Sequence, residues 1–238
     1  RVVVPNYDTK FIAENEFDSV YSGFVKLGNF NFPFQIQKER TNYLGFELYL
    51  VQISELFDRK EMYGYEDDIE RFLSFQIATL NWINSLSKIP DLIHCHDHHT
   101  GLVPFMMQYA NKYEKLRNIT SILTIHNAIY QGQFSLDKLY YLPEFDLSNL
   151  TLLEWDNKIN SLATGIKCAS AVSTVSPNFL NEINNFGYGL EALFNTVRHK
   201  SKGILNGIDT EVWNSMNDKM ISSNFSIKTV EKGKQANK

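Results

Sequence analysis

The pattern of hydrophobic and polar residues predicts a strand-rich segment at the start of the chain. Runs of β-branched and aromatic residues, separated by turn-forming residues such as Asn29 and Asn42, predict several strands in the first 53 residues. These strands fall at residues 2–4, 19–27, 32–37 and 46–53. The density of aromatic and aliphatic residues over 43–51 predicts that the last of them is buried.

The period of the pattern then changes from that of strands to that of helices. Asp67 and Asp68 begin a predicted helix that reaches about Ser87, because acidic residues suit a helix N-terminus and apolar residues recur every 3.6 positions. After Pro90, short apolar runs alternate with amphipathic segments. The runs predicted as strands lie at 92–93, 121–125, 171–175 and 203–205, and the helices at about 100–113, at 160–168 and from Pro177. This alternation predicts an α/β fold with a doubly wound, Rossmann-like, mainly parallel sheet.

Polar residues follow each of these predicted strands. Ligands bind at the carboxyl ends of the strands in such sheets, so the residues after each strand are candidate site residues. They are HCHDHHTG at 94–101, His126-Asn127 with Tyr130-Gln131-Gly132, Ser176-Pro177, and Asn206-Gly207-Ile208-Asp209. Asn-Gly and Ser-Pro also build turns and helix caps, so each segment alone is compatible with a structural role. Four such segments at one edge favour a ligand site.

The histidine-rich segment also permits a metal interpretation. His94, His96 and His98 would share one side of an extended segment, with Asp97 on the other, and His-x-His pairs occur in metal-dependent barrel hydrolases. The sequence has no HExxH or CxxC cluster to complete a coordination shell. We therefore expect no metal and no cofactor, and we expect His94 to be a buried, hydrogen-bonded histidine.

Composition narrows the class of protein. The 238 residues are 43% hydrophobic and 21% charged, as in ordinary globular proteins, and a net charge of −4 argues against a nucleic-acid partner. No apolar run approaches the roughly 18–20 residues of a membrane span, so no membrane partner is expected. Cys95 and Cys168 lie in apolar segments rather than in a disulfide framework, which favours the cytoplasm.

Five ordered segments resemble the glycogen/starch synthase family of glycosyltransferases (family 5). They are PDLIHCHDHHTGLVP (90–104), LTIHNAIYQGQF (123–134), AVSTVSPNFLNEI (171–183), YGLEALF (188–194) and GILNGIDTEVWN (203–214). YGYEDDIERF (63–72) is similar to the family segment before the first long helix. Order, spacing and flanking hydrophobicity agree over nearly the whole chain.

The resemblance implies a two-Rossmann-domain glycosyltransferase with its active site between the domains. Residues 1–214 would be the N-terminal, acceptor-side domain without its first strand, and 215–238 would begin the passage to a missing C-terminal nucleotide-binding domain. The strand under way at Arg1 and the polar, Lys-rich end fit an expectation that both ends are cut. The family transfers glucose with retention from ADP-glucose (or UDP-glucose) to the non-reducing end of an α-1,4-glucan. This chain alone is expected to be inactive.

The resemblance also implies roles for individual residues. His126, helped by Asn127, would contact the donor glucose near the reacting carbon, and Asp97 would orient a glucan hydroxyl. Further substrate-binding candidates are Tyr63, Tyr130, Gln131 and Asn206. The family commonly has Trp where this chain has His98, so an imidazole would take the place of an indole face at the acceptor.

Structural interpretations remain open for some of these residues. Tyr63 and Tyr65 could pack against the helix that begins near Asp67, and Asp97 could cap the helix that follows it. Two alternative functions also remain: a non-catalytic glucan-binding module, and a metal-dependent hydrolase that uses the His94/His96 pair.

Overall fold

The computed structural model describes residues 1–41 and 43–238 and places the first four strands in one mixed sheet, sheet A. These strands are β1 (Val2–Pro5), β2 (Phe17–Leu27), β3 (Phe30–Glu39) and β4 (Leu48–Gln52). Their order is β1-β4-β3-β2, where β1 is parallel to β4 and β3 is antiparallel to both β2 and β4. A short helix that the pattern did not predict, α1 (Lys10–Glu14), lies between β1 and β2.

The prediction of a buried strand over 43–51 is wrong in its first half. Tyr43 is 85% exposed and Phe46 is 43% exposed, and the strand begins only at Leu48. Gly45 has a φ of +74°, a turn conformation that interrupts an extended chain, so aromatic content did not determine the local structure there. Asn42 lies outside the described residues.

The long helix α2 (Asp68–Ser85) forms the centre of the hydrophobic core. It ends two residues before the predicted Ser87, and Asp68 and Glu70 occupy its first turn as expected. Twelve of its residues are buried, because it packs against sheet A on one side and against the next helical layer on the other. Arg71 is among them: its guanidinium lies near the rings of Tyr65 and Phe57 and pairs with Asp68.

The second half of the chain contains sheet B, a four-stranded parallel sheet, and a small antiparallel sheet. Its strands are β5 (Leu92–His96), β6 (Thr120–Ile125), β7 (Gln133–Phe134), β8 (Glu154–Trp155), β9 (Lys158–Asn160), β10 (Ala171–Thr174) and β11 (Ser201–Gly203). Sheet B has the order β11-β10-β6-β5, and β7-β9-β8 form the small sheet. The predicted α/β, Rossmann-like fold is confirmed.

Helices connect the parallel strands, as the alternation predicted. They are α3 (Val103–Tyr109), α4 (Leu150–Leu153), α5 (Ser161–Cys168), α6 (Pro177–Ile183) and α7 (Glu191–Thr196), and a further helix, α8 (Val230–Ala236), follows the last strand. Short 3-10 helices lie at His98–Thr100, Asn111–Leu116, Leu136–Tyr141, Leu147–Asn149, Arg198–Lys200 and Ile227–Thr229. The predicted helix over 100–113 is therefore three shorter pieces. The predicted strand over 203–205 ends at Gly203, although the Ile204 N–H still donates to the Thr174 carbonyl.

A deep slot separates the two sheets on the side where β1 and β5 are edge strands. Its volume is about 750 Å³, and its lining includes Val3 of β1, Leu80 and Trp82 of α2, and His94 and His96 of β5. The slot is therefore apolar along α2 and carries two imidazoles near the end of β5.

The chain forms two compact units, Arg1–Ile204 and Leu205–Lys238. The first contains both large sheets. In the second, Ser226 and Thr229 form a capping box before α8, and Gly233 of α8 lies against Phe225. The predicted boundary after residue 214 stays a prediction.

Candidate active site at the carboxyl ends of the strands

Asp97 turns the chain where β5 ends. Its φ is +54° and its ψ is −169°, a backbone region that residues other than glycine rarely occupy. Asp97 stands before the 3-10 helix at His98–Thr100 but makes no side-chain capping bond to it, so the capping interpretation does not describe its contacts. Strain of this kind persists only where surrounding contacts enforce the conformation.

The contacts of the Asp97 carboxylate lie on the neighbouring strand end. Its Oδ1 accepts the backbone N–H of His126 at 2.8 Å and that of Asn127 at 3.4 Å. The Asp97 N–H donates to the Thr124 carbonyl at 2.9 Å. Asp97 therefore joins the end of β5 to the end of β6 and fixes the position of His126.

His126 meets His96 edge to edge at this junction. The Nδ1 of His96 lies 3.0 Å from the Nε2 of His126, and the ring of His96 is stacked on that of His94 with centroids 4.4 Å apart. His94 Nε2 lies 2.6 Å from the hydroxyl of Thr124, which lies 2.6 Å from the hydroxyl of Ser173. A chain of polar contacts thus crosses β5, β6 and β10.

This arrangement corrects two expectations for the histidines. His94 is hydrogen-bonded as predicted but exposed rather than buried, because β5 is an edge strand. His94 and His96 do share a face, but His98 does not join them, because the turn at Asp97 redirects the chain. The histidines also lie within or beyond β5 rather than all after it.

His98 packs into the protein beside α2. Its ring makes an edge contact with Phe72, with centroids 6.0 Å apart, and lies against Gly132. Burial lowers the pKa of His98 to about 4, and the neighbouring His99 acts in the same direction, while a hydrogen bond with the backbone of Tyr130 opposes them. His98 is therefore held mainly by contacts inside the domain.

Asn127 and Gln131 organise the loop that follows β6. The Asn127 Oδ1 accepts the Ile129 N–H at 3.0 Å. Gln131 is buried: its Nε2 donates to the Tyr188 carbonyl and its Oε1 accepts from Asn160, so contact with a ligand would require these bonds to be exchanged. Tyr130, by contrast, is 62% exposed.

Two further candidates are Tyr63 and Asn206. Tyr63 is 65% exposed, and among the described residues no hydrogen bond or ring contact joins it to His126 or Asp97. Tyr65 instead packs near α2, between the guanidinium groups of Arg59 and Arg71, as the structural interpretation predicted. Asn206 belongs to the second unit, Leu205–Lys238.

Three further properties of the described residues concern metal binding, the cysteines and membrane-spanning helices. No group of three or more His, Cys, Asp or Glu side chains in residues 1–41 and 43–238 has the geometry to hold a metal ion. Cys95 and Cys168 are free and buried, and burial raises the pKa of each thiol to about 12. In the same part of the chain, no helix has both the length and the apolar character that crossing a bilayer requires.

One contact of the site was missed at the sequence level. The sequence suggests only a metal-binding role for His96, yet its ring bonds to the ring of His126. The signal was present in the alternation of β5, because His96 pairs with Thr124, which lies two positions before His126. A parallel register between the two strands would have placed His96 beside His126.

Polar groups that collect at the carboxyl edge of a parallel sheet flanked by helices define the ligand-binding edge of a Rossmann-like domain. Comparisons with known proteins agree. Residues 1–196 match the family model of the starch synthase catalytic domain. The chain therefore belongs to the starch synthase catalytic domain family, as the resemblance of its segments predicted.

Individual relatives extend the match over the whole chain. The glycogen synthase of Flavobacterium johnsoniae is 64% identical over all of this chain and 50% of its own length. That of Hydrogenobaculum sp. is 36% identical, over 100% of this chain and 49% of its own length. The solved catalytic domain of starch synthase IV from Arabidopsis thaliana, bound to ADP and acarbose, matches with a TM-score of 0.79 and 26% identity, over 95% of this chain and 48% of that one. The chain spans about half the length of these relatives.

Proposed function

We propose that this chain is the acceptor-side part of a retaining glucosyltransferase that extends an α-1,4-glucan. The donor is a nucleotide sugar, ADP-glucose in preference to UDP-glucose. The observation that carries the proposal is the junction of Asp97, His96 and His126 at the carboxyl edge of sheet B, in a chain whose relatives are named glycogen synthase. The ADP bound to the Arabidopsis starch synthase supports the choice of nucleotide.

The reaction breaks the bond between the anomeric carbon and the diphosphate oxygen and forms a bond to the 4-hydroxyl of the glucan. The hydroxyl proton passes to the diphosphate oxygen that departs with the electron pair of the broken bond, and positive charge develops on the sugar in the transition state. Positioning and preorganised polar groups supply much of the acceleration in reactions of this type. The diphosphate groups are expected to bind to a C-terminal domain of a longer protein.

His126 contacts the donor glucose near the reacting carbon in this proposal. It is exposed at the end of β6, where ligands bind in parallel sheets, and the Asp97 carboxylate holds its backbone in place. Asn127 stands beside it and adds hydrogen-bonding capacity for sugar hydroxyls. Preorganisation of this kind costs nothing at the moment of reaction.

Asp97 has a second role in the proposal, at the acceptor. Its Oδ1 takes the two backbone amides, and the carboxylate has a second oxygen, Oδ2, that can accept a glucan hydroxyl. The exposed ring of Tyr130 offers a stacking face for a sugar. The remaining substrate-binding candidates are His98, Gln131, Tyr63 and Asn206. The first two would act by supporting the residues that contact the substrate.

A cytoplasmic location stays a prediction that the two free thiols favour.

A chimera tests the proposal. Residues 1–238 replace the matching segment of the F. johnsoniae glycogen synthase, which is 64% identical over that whole segment. We expect this protein to incorporate labelled glucose into glycogen from ADP-glucose faster than from UDP-glucose. A folded chimera that binds glycogen without transferring glucose would instead favour the non-catalytic glucan-binding module. Hydrolysis without glucose transfer, lost on dialysis against a chelator and restored by zinc, would favour the metal-dependent hydrolase that uses the His94/His96 pair.

A further inference from the structure

We propose that His96 is a positioning residue for His126, fixing the orientation and the tautomer of its imidazole. The inference rests on the proposed function for its catalytic consequence, but its structural part stands on the geometry alone. The two rings approach through ring nitrogens, 3.0 Å between His96 Nδ1 and His126 Nε2, so one of the two nitrogens donates and the other accepts.

His96 is itself held on three sides. Its backbone N–H donates to the Thr100 hydroxyl at 2.6 Å, and the same hydroxyl donates to the His96 carbonyl at 2.8 Å. Its ring stacks on His94, whose Nε2 is bonded to the Thr124 hydroxyl. A side chain with a fixed backbone and a fixed ring plane can orient its neighbour, as second partners of histidines do at other sites.

The charge state of His96 suits this role. Burial lowers the pKa of His96, and the neighbouring His94 and His126 act in the same direction, whereas Asp97 opposes them. Arg1, which precedes β1 and pairs with Glu47, lines the same slot. Near pH 7 His96 is therefore mainly neutral, with one ring N–H and one bare nitrogen, and it can select one tautomer of His126.

The two tautomers of His126 present different atoms to a ligand. A hydrogen bond at Nε2 fixes whether Nδ1 carries a proton, and so whether Nδ1 donates to or accepts from a sugar hydroxyl. Without His96, the His126 ring would sample both tautomers and rotate away from the reacting carbon. His96 itself does not contact substrate in this arrangement.

Nuclear magnetic resonance of the 238-residue chain tests the structural part directly. The ¹⁵N shifts of the His126 ring at pH 8 are expected to report one tautomer in the wild type and a mixture in His96→Ala. Because an asparagine amide places an oxygen and a nitrogen near the position of Nδ1, His96→Asn is expected to restore a single tautomer. His199→Ala removes an exposed histidine and serves as the control. Unchanged His126 shifts in a folded His96→Ala chain would overturn the proposal.

Kinetics of the F. johnsoniae chimera test the catalytic part. We expect His96→Ala to lower kcat by about 10²-fold, the cost of a misplaced reacting group, with KM changed little. His96→Asn should recover much of that loss, and His199→Ala should leave kcat unchanged. An active chimera whose kcat is insensitive to His96→Ala would refute the catalytic part. If the wild-type chimera is inactive, the proposed function fails, and the resonance experiment still decides whether His96 orients His126.

Discussion

Single residues hold this site together through contacts between strand ends rather than within one segment. Asp97 is the clearest case, because its carboxylate binds the backbone of residues 29 and 30 positions further along the chain. Its positive φ shows that the protein tolerates local strain to place that carboxylate. Replacement of this side chain should therefore lower the stability of the fold and change the position of His126.

Two substitutions at Asp97 distinguish the effect of losing the hydrogen-bond acceptor from the effect of losing the negative charge. Asp97→Asn keeps an oxygen acceptor for the two amides, and Asn tolerates positive φ, so we expect the free energy of unfolding to change by less than about 1 kcal/mol. Asp97→Ala removes the acceptor and should cost about 2–3 kcal/mol. Urea denaturation of both variants measures these values. Equal stability of the two variants would show that the amide contacts are not important.

The half-buried histidine His98 makes stability depend on pH. Burial lowers its pKa to about 4 from an ordinary value of 6.5, so the unfolded chain binds more protons than the folded chain between those values. Stability is therefore complete above about pH 6.5 and falls as the pH is lowered towards 4, by at most about 3 kcal/mol. Partial desolvation also lowers the pKa values of His94, His96 and His99, which adds to the same trend.

Melting temperatures measured from pH 7 to pH 5 check this dependence. His98→Asn should flatten the decline relative to the wild type, and His199→Asn, at an exposed position, should leave it unchanged. A decline of the same slope in His98→Asn and the wild type would assign the acid sensitivity to other groups.

At the scale of elements, the chain predicted its strands and helices better than its turns. Periodicity identified β2, β3, α2 and sheet B within a few residues, since these elements are amphipathic or continuously apolar. It failed where one backbone angle decides, as at Gly45 before β4 and at Asp97 after β5. Hydrophobic pattern does not contain that information, and so His98 was placed on the wrong side.

The site residues were likewise predicted in part: the sequence predicted which of them lie together but not which are exposed. The strand-end rule brought His126, Asn127 and Asp97 together correctly, because parallel strands end at one edge. The rule could not show that Tyr130 is exposed whereas the amide of Gln131 is hydrogen-bonded to Tyr188 and Asn160. That distinction depends on long-range packing of the loop after β6.

Helix α5 packs closely against the turn after β5 and so supports the position of that turn. A Cβ on Gly165 would stand 2.8 Å from the Gly101 carbonyl oxygen and 2.9 Å from a methyl of Leu123. We therefore expect Gly165→Ala to destabilise the fold by about 1–3 kcal/mol through overpacking. Gly207→Ala, where the new Cβ meets nothing within 4 Å, is the matched control. Thermal unfolding of the two variants makes the comparison, and equal melting temperatures would show that α5 can move away without cost.

At the scale of the whole molecule, the chain corresponds to about half of each relative it matches. The proposed reaction needs groups for the diphosphate that are expected in a C-terminal domain. We therefore predict that the 238-residue chain alone transfers no detectable glucose, whereas the chimera does. Incorporation of labelled glucose from ADP-glucose into glycogen measures the activity of both proteins in one assay. Incorporation by the isolated chain would contradict the prediction.

In the proposed function, His126 acts on the sugar rather than on the fold. His126→Ala in the chimera should lower kcat and kcat/KM together by about 10²–10³-fold, because a contact that strengthens in the transition state is lost. The melting temperature should stay close to that of the wild type, because the ring is exposed. Both quantities are measured on one preparation, with His199→Ala as the control. A near-normal kcat per folded molecule, with or without a lowered melting temperature, would show that His126 does not act on the sugar.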